Sequence, residues 1–442
     1  MPIEATPRRR MPMHTKILLG LGLGVAAGVA ANYFLHGTTG LLWFVDNIAN
    51  PIGQIFLRML FMVVVPLIFC SITLGVASLG DIRRVGRVGG KTLLIFVLTT
   101  AFAVCIGLAL VNTVKPGRSL NPATRTALLE RYSGDAAEKA SLAESSKFGV
   151  STFVNIIPKN PVEAAAKGDM LALIFFSLVF GMALTMVPDE KREPVIKLLD
   201  GIGEAVMGMI HFAMKLAPIG VFGLIFSVTA LFGVDVLKSL ALFVVMVLFG
   251  LALHQFIVLP SLARILVGIS PLLFLRRARA LMVTAFSTSS SNATLPTTIE
   301  TAERNFGVPK EVAGFVLPLG ATMNMNGTAL FEGMTVLFLA QVFGINLSLG
   351  QQLIVVGMSV ITAIGTAGVP GGSIPLMVLV LQVVGVPVEG IALILGVDRI
   401  LDMSRTVPNV TGDLLTALII TKSEGLPLII PPDSAVQLEE VG

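Results

Sequence analysis

Long uncharged stretches limit most strongly what this chain can fold into. No Asp, Glu, Lys or Arg occurs in residues 17–34, 59–79, 92–114, 170–188 or 240–262. Each stretch is close to the ~20 residues that a helix needs to cross the hydrocarbon core of a bilayer. Charged residues make up only 13% of the chain, whereas soluble domains carry roughly 25%. The sequence therefore predicts an all-α polytopic membrane protein rather than a soluble or a disordered chain.

Basic residues indicate how the chain is oriented in the membrane. They precede the first stretch and then occupy every second connection, as Arg8, Arg9, Arg10, Lys16, Arg83, Arg84, Arg87, Lys91, Lys191, Arg192, Lys197, Arg264, Arg276, Arg277 and Arg279. Cytoplasmic loops carry such an excess of Lys and Arg. We therefore expect a cytoplasmic N-terminus and an extracellular loop at residues 115–150. A cleaved signal peptide within residues 1–34 is the alternative, although the apolar stretch there exceeds the usual length of roughly 7–15 residues.

Several other classes of protein are disfavoured by the sequence. The net charge of +4 comes from 31 Lys and Arg against 27 Asp and Glu, too small and too scattered an excess for a nucleic-acid interface. Residues 85–92, VGRVGGKT, miss the spacing of a nucleotide-binding phosphate loop by one residue. Cys70 and Cys105 lie inside apolar stretches and are interpreted as packing residues. No nucleophile and base are arranged as in an enzyme, so we expect no catalytic activity.

Two apolar stretches are interrupted by polar or flexible residues. Residues 287–296 read STSSSNATLP, and residues 365–375 read GTAGVPGGSIP within the uncharged run 333–388. Backbone freed by Gly, Pro and Ser is tolerated at membrane depth only against protein or a watery cavity. We therefore predict two re-entrant hairpins, one entering from each side, each followed by a polar helix. This is the inverted-repeat plan of secondary transporters.

The last helix carries a stripe of polar residues. Asp398, Asp402, Arg405, Asn409 and Asp413 follow one another at spacings of four, three, four and four residues. At about 100° per residue they share a stripe roughly 80° wide. Charges at this depth are costly and mark functional sites. A buried salt-bridge ladder is the alternative, but three carboxylates against one Arg leave negative charge for cations.

The chemistry of this stripe indicates a class of ligand. The planar fork of Arg405 suits a carboxylate, and Asp402, one helical turn earlier, suits an ammonium group. Together they describe an acidic amino acid. The carboxylate of Asp413 is a hard oxygen ligand that suits Na⁺.

A second polar segment lies at residues 320–332. Asn324, Thr328 and Glu332 share a helix face, while Asn326 and Gly327 are predicted to interrupt the helix and free carbonyls for an alkali cation. Because burial penalises the charged form of a carboxyl, Glu332 is a candidate proton carrier. An ordinary polar kink, and a Glu that only hydrogen-bonds inside the bundle, are the alternatives.

Four motifs carry a resemblance to a known family. SSSNATLP, PLGATMNMNGT, GTAGVPGG and DMSRTVPNVTGD occur in this order, and the likeness extends over residues 15–422. The chain resembles the glutamate transporter homologues, the dicarboxylate/amino acid:cation symporters. The resemblance implies a homotrimer of eight transmembrane helices and two re-entrant hairpins, in which a transport domain moves like an elevator past a scaffold and the second hairpin acts as a gate.

The implied division of the chain follows its predicted spans. It comprises a cytoplasmic tail (1–14), scaffold helices 1 and 2 (15–90), transport-domain helix 3 (91–114), the extracellular loop (115–150), scaffold helices 4 and 5 (151–234), transport-domain helix 6 (235–270), hairpin 1 (271–304), helix 7 (305–346), hairpin 2 (347–387), helix 8 (388–423) and a C-terminal tail (424–442).

The resemblance also implies roles for individual residues. The substrate site would comprise Ser289, Ser290, Ser291, Thr328, Val369, Ser373, Asp402, Arg405, Thr406 and Asn409. One sodium site would use Asp413 with carbonyls of Gly320, Asn324 and Asn409. A second sodium site would use carbonyls of Thr322, Ala363, Ile364 and Thr366.

The chain departs from the family pattern at a third cation site. That site would comprise Phe96, Thr99, Thr100, Asn326 and Asp398. Asn326 stands where the family has Asp, and Phe96 stands where sodium-coupled members often have Tyr. Arg399, next to Asp398, could supply a positive charge that such a site otherwise takes from an ion. Glu332 falls where proton-coupled mammalian carriers have Glu. These departures favour fewer sodium ions, with a proton in place of one.

The sequence thus predicts a symporter for L-glutamate and L-aspartate, driven by Na⁺, H⁺ or both, in a bacterial inner membrane. A C4-dicarboxylate symporter is the alternative within this class, although such a substrate has no ammonium group for Asp402. A gated ion channel is the alternative from another class, and it would show flux without substrate coupling. The coupling stoichiometry and the preferred substrate are left open.

Overall fold

The computed structural model describes residues 13–77, 82–121, 126, 157–167, 170–366, 368 and 370–428, and all regular elements in these residues are helices. The first part contains α1 (Met13–Leu35), α2 (Thr39–Phe44), α3 (Asn50–Phe61), α4 (Val64–Ala77), α5 (Ile82–Val114), α6 (Pro161–Lys167), α7 (Met170–Thr185), α8 (Asp189–Phe232), α9 (Val234–Leu253) and α10 (Leu259–Leu262). The second part contains α11 (Pro271–Arg277), α12 (Arg279–Thr288), α13 (Ser291–Glu300), α14 (Lys310–Met323), α15 (Asn326–Val342), α16 (Leu349–Gly365), α17 (Ile374–Val383), α18 (Ile391–Leu395) and α19 (Asp398–Ser423). The prediction of an all-helical fold is confirmed for these residues.

Four continuous helical stretches within the described residues are long and apolar enough to cross a membrane. They are Thr15–Leu35, Arg87–Ser119, Asp189–Phe232 and Val234–Val267. Shorter apolar helices include Leu349–Gly365 and Ile374–Val383, which fall in the predicted second hairpin. Most of the predicted extracellular loop lies outside the described residues.

The predicted second span is divided into two helices. α3 ends at Phe61 and α4 begins at Val64, just before Pro66. Pro66 thus lies in the first turn of α4, where a proline is tolerated because the first N–H groups of a helix have no intrahelical acceptor. α5 begins at Ile82, earlier than the predicted boundary at residue 91.

One group of helices packs through glycine contacts around α8. A Cβ atom added to Gly20 of α1 would lie 2.2 Å from the carbonyl oxygen of Pro218 in α8. A Cβ atom added to Gly223 of α8 would lie 2.5 Å from the carbonyl oxygen of Ala49. Small residues let helix backbones approach this closely in membrane proteins. α3 and α4 also contact α8, so that α1, α3, α4 and α8 form one closely packed layer.

A second group of helices surrounds α15 and α19. Phe243 of α9 stacks on Phe338 of α15 with their ring centroids 4.4 Å apart. A Cβ atom added to Gly107 of α5 would lie 2.7 Å from the side chain of Met334 in α15. The side chains of α15 are almost all buried, so this helix lies at the centre of the group.

Two helix–turn–helix pairs meet at their turns. α12 ends at Thr288 and is followed by Ser289, whose φ of 52° is in the left-handed region. The Ser290 hydroxyl then caps α13 by accepting from the N–H of Ala293. In the other pair, Gly368 follows α16. The Ser290 hydroxyl donates to the Gly368 carbonyl (2.6 Å), and the N–H of Asn292 donates to the same oxygen (3.2 Å). The two polar interruptions seen in the sequence therefore lie side by side.

The break between α14 and α15 lies two residues before the predicted position. The sequence predicts an interruption at Asn326 and Gly327, but the non-helical residues are Asn324 and Met325, and α15 begins at Asn326. The first N–H groups of a helix have no intrahelical acceptor. Here Asn409 of α19 supplies one, because its Oδ1 accepts from the N–H of Gly327 (2.8 Å) and of Thr328 (3.3 Å).

Candidate functional site

A small buried cavity lies where the two turns meet α15 and α19. It is lined by Ser289, Ser291, Met325, Thr328, Thr366, Gly368, Ser373, Asp402, Arg405, Thr406 and Asn409. The lining includes most of the residues that the sequence predicts for a substrate site. Ser290 lies behind the lining and ties the two turns together. Val369 lies outside the described residues.

Arg405 is the largest charged group in the cavity wall. It is only 2% exposed. Its Nη1 donates to Asp398 Oδ1 (2.9 Å), and its Nη2 donates to Asp402 Oδ1 (2.8 Å). The guanidinium also lies 4.5 Å from the centroid of the Phe331 ring, within reach of a cation–π interaction. Buried charges persist only when paired and hydrogen-bonded, and Arg405 meets this condition through residues of its own helix.

Asp402 is held from three sides. Besides Arg405, it accepts through Oδ2 from the N–H of Gly371 (3.2 Å) and from Nη1 of Arg399 (3.5 Å). Gly371 belongs to the turn before α17 and has a φ of +78°, which is the conformation that favours glycine. The turn of the second helix pair therefore reaches the same carboxylate that lines the cavity.

Asn409 joins the helix break to α19. Its Oδ1 caps α15, and its Nδ2 donates to the Thr328 hydroxyl (3.1 Å). The Thr406 hydroxyl donates to the carbonyl of Asp402 (2.8 Å). Two cavity hydroxyls, those of Ser289 and Ser373, are buried and have no hydrogen-bond partner among the described residues. These groups are free to bind a polar ligand.

Three of the four residues predicted for the first sodium site, Gly320, Asn324 and Asp413, lie together. Asp413 is 1% exposed, and its Oδ1 accepts from Asn324 Nδ2 (2.8 Å). A Cβ atom added to Gly320 would lie 2.5 Å from the same carboxylate oxygen. Oδ1 of Asn324 is buried without a partner in the described part of the chain. A buried carboxylate beside an unused amide oxygen and a helix break is a donor set that suits a hard cation.

The residues predicted for the second sodium site come from two elements in contact. Thr322 lies in the last turn of α14, whereas Ala363, Ile364 and Thr366 lie at the end of α16. Ile364 also lines an apolar cavity together with Met323 of α14. The structure therefore brings the ends of these two helices together.

The residues predicted for the third cation site are only partly gathered. Oδ1 of Asn326 accepts from the hydroxyls of Thr100 (2.6 Å) and Thr99 (3.4 Å). Phe96 is 2% exposed and lines the apolar cavity next to Thr100. Asp398, in contrast, is paired with Arg405. In place of a carboxylate, Asn326 presents an amide whose Nδ2 is buried and has no partner among the described residues.

Glu332 is fully buried in α15. Its Oε2 accepts from the Thr362 hydroxyl of α16 (2.7 Å), while its Oε1 has no partner among the described residues. The Ser359 hydroxyl, on the same helix as Thr362, is also buried without a partner. The Glu332 carboxyl therefore lies between α15 and α16, on the side where α16 carries the hydroxyls of Ser359 and Thr362.

Some contributors to the site cannot be found from the polar pattern alone. Phe331 looks like an ordinary apolar residue, but it covers Arg405. Gly368 contributes a carbonyl that joins the two turns, and Gly371 contributes an N–H to Asp402. The glycine-rich motif at residues 365–375 marks both glycines, although it does not show which backbone atoms they present.

These features define a class of protein. Apolar helices of spanning length occur together with two helix–turn–helix pairs and one broken helix, and the turns of the pairs meet the broken helix and α19 at a polar cavity. This is the arrangement of a membrane transporter with a central site. The chain belongs to the sodium:dicarboxylate symporter family, whose sequence profile matches residues 13–423. The resemblance inferred from the four motifs is confirmed.

Curated relatives match nearly the whole chain. The proton/sodium-glutamate symport protein of Geobacillus stearothermophilus is 37% identical over 94% of this chain and 96% of its own length. The proton/glutamate-aspartate symporter of Escherichia coli K12 is 36% identical over 92% of each chain. The C4-dicarboxylate transport protein of Bacillus subtilis is 36% identical over 87% of this chain and 90% of its own length.

Proposed function

We propose that this protein is a secondary active symporter that takes up L-glutamate and L-aspartate together with Na⁺, H⁺ or both. The observation that carries the proposal is the placement of Arg405 and Asp402, with opposite charges, in the wall of one buried cavity. Arg405 would bind the side-chain carboxylate of the substrate, and Asp402 would bind its ammonium group. The names of the glutamate-transporting relatives support the choice of substrate.

The ion pairs in the cavity explain why such a substrate would be selected. Arg405 and Asp402 are now paired with each other. A substrate that carries both a carboxylate and an ammonium can separate them and leave each buried charge with a partner. A substrate without the ammonium would leave Asp402 with the more distant Arg399 as its remaining cationic partner, and one without the carboxylate would leave Arg405 with Asp398 alone. Backbone of Ser289, Ser291, Val369 and Ser373 would hold the main-chain carboxylate, and Thr328, Thr406 and Asn409 would line the same site.

Cations would accompany the substrate as cargo. We infer that Na⁺ binds at Asp413 with carbonyls of Gly320, Asn324 and Asn409. A second Na⁺ would bind to carbonyls of Thr322, Ala363, Ile364 and Thr366. Oxygen donors of this kind suit hard cations. Glu332 is the proposed proton carrier.

The movement that we propose is an elevator. The helices around α15 and α19 would move as a transport domain past a scaffold built on α1, α3, α4, α7 and α8. The contact between the two groups is built partly on glycines: a Cβ atom added to Gly365 would lie 2.8 Å from Ile72 of α4, and one added to Gly371 would lie 3.4 Å from Met214 of α8. We further propose a homotrimer in a bacterial inner membrane with a cytoplasmic N-terminus, and re-entrant hairpins at α12–α13 and α16–α17.

Uptake into proteoliposomes tests the proposal. Labelled L-aspartate and L-glutamate would be offered under a sodium gradient alone, a pH gradient alone, and both together. We expect concentrative uptake with at least one gradient and none without a gradient. Uptake by sodium alone would show that the two sodium sites suffice, whereas uptake by a pH gradient alone would make Glu332 the leading carrier. Cation flux that is independent of substrate would contradict the proposal and favour a gated channel.

A C4-dicarboxylate is the second candidate substrate. The relative from Bacillus subtilis carries that name, and Asp402 already has a second cationic partner in Arg399. Uptake of labelled succinate in the same vesicles, without uptake of either amino acid, would favour this candidate.

A further inference from the structure

A second arginine, Arg399, lies outside the cavity but close to its wall. Arg399 lies next to Asp398 on α19 and is not part of the cavity lining. Its Nη1 is 3.5 Å from Oδ2 of Asp402, and its side chain is only 13% exposed. Its Nε is buried and has no partner in the described part of the chain. Arg399 therefore approaches, from outside the cavity, the carboxylate that we assign to the substrate ammonium.

The charges around this carboxylate balance without a ligand. Asp398 and Asp402 carry two negative charges, and Arg399 and Arg405 carry two positive charges. Without Arg399 the group would hold one excess negative charge, which would have to be met by a cationic group of the substrate or by an ion. With Arg399 present, the four side chains have no net charge, so the site does not require the ammonium group of a substrate.

The two arginines hold Asp402 unequally. The Arg405 contact is 2.8 Å, whereas the Arg399 contact is 3.5 Å, which is at the long limit for a hydrogen bond. Arg399, the more distant partner, can move away when the ammonium group of a substrate binds to Asp402. When the ligand has no ammonium, Arg399 can move closer and form a two-point contact with Asp402 through both of its Nη atoms, which is the strong geometry between guanidinium and carboxylate.

We propose that Arg399 is a positioning residue that broadens substrate specificity through Asp402. It takes the place of the substrate ammonium, so that four-carbon dicarboxylates without an amino group are accepted at the same site as acidic amino acids. This inference rests on the proposed function, because it assigns Asp402 to the ammonium of an amino-acid substrate.

Competition between two nearly identical ligands tests the role of Arg399. Uptake of labelled L-aspartate into proteoliposomes would be inhibited with unlabelled succinate, which keeps the four carbons and both carboxylates but has no ammonium. Inhibition by unlabelled L-aspartate would be measured in parallel. The variants are R399Q and R399M, which remove the charge, and R399K, which keeps it. R264Q, which alters an exposed arginine near the end of the helical stretch Val234–Val267, is the matched control.

We expect R399Q and R399M to raise the ratio of the succinate to the aspartate inhibition constant by about tenfold, which corresponds to ~1.4 kcal/mol. R399K should restore most of the wild-type ratio, and R264Q should leave it unchanged. R399M provides the same test with an apolar side chain if R399Q does not fold. An unchanged ratio in the charge-removing variants would overturn the inference, as would wild-type protein that transports aspartate but is not inhibited by succinate. Wild-type protein that transports neither ligand would instead refute the proposed function.

Discussion

At the residue scale, Asn326 is the residue of the predicted third cation site that stands where the family has Asp. Its amide oxygen accepts from Thr100 and Thr99, so the side chain is placed like a ligand but carries no charge. We expect N326D to restore a cation site and to steepen the dependence of aspartate uptake on sodium concentration. The measurement is the Hill coefficient of initial uptake rates. N47D, which adds the same charge at an exposed position on the other group of helices, is the control, and an unchanged coefficient in N326D would count against the idea.

Glu332 is a second residue whose chemistry can be tested directly. One oxygen accepts from Thr362, and the other has no partner among the described residues. Gln has nearly the same shape and can still accept from Thr362, but it cannot carry a proton. We therefore expect E332Q to lose any uptake that a pH gradient drives in the absence of sodium, while sodium-driven uptake continues. E311Q, at an exposed residue of α14, is the control. If wild-type uptake responds to a pH gradient and E332Q retains that response, Glu332 is not the carrier.

Much of the candidate site can be predicted from the sequence because its residues follow a helical period. Asp402, Arg405 and Asn409 share one face of α19, and the structure places all three in the wall of one cavity. The contacts of Arg399 and Phe331 could not be predicted in the same way. They depend on side-chain rotamers and on how α15 packs against α19, which the spacing within one helix does not determine. Their functional roles remain predictions.

At the element scale, the sequence indicates interruptions more reliably than their positions. Gly, Pro and Ser mark both turns because they weaken helices locally. The sequence predicts the break before α15 at Asn326 and Gly327, but the break lies at Asn324 and Met325. The exact residue depends on the cap that Asn409 supplies from another helix. A contact between distant segments therefore decides a boundary that local propensity leaves open.

Gly327 tests how closely α15 approaches α19. A Cβ atom added there would lie 2.3 Å from the carbonyl oxygen of Arg405, so G327A forces the helices apart beside the cavity. Overpacking of this kind typically costs ~1–3 kcal/mol. We expect G327A to lower the thermal unfolding temperature in detergent and to weaken aspartate binding. G314A is the matched control on α14, where an added Cβ meets no atom within 4 Å. Equal stability of the two variants would contradict the close approach.

At the scale of the whole molecule, the division into two groups of helices depends on contacts that the sequence does not show. The uncharged stretches predict spans, but they do not say which spans pack together. The structure shows one layer around α8 and another group around α15 and α19. It also shows where they touch: the second helix pair faces the first layer through Gly365 and Gly371, which lie near Ile72 and Met214. Small residues at these points let the two groups approach each other closely.

A reversible cross-link between the two groups would test whether they move past each other. The pair I72C and G365C would join α4 to α16 in a background without the native cysteines Cys70 and Cys105. The added Cβ at residue 365 lies close to residue 72, and removal of the isoleucine branches makes room for a disulfide with Cβ atoms about 3.5–4.5 Å apart. We expect oxidation to stop aspartate uptake and reduction to restore it, because an elevator requires this contact to separate. Each single-cysteine variant should continue to transport under the same oxidant. Undiminished uptake by fully cross-linked protein would mean that α4 and α16 stay together during transport, and the proposed elevator would then be wrong.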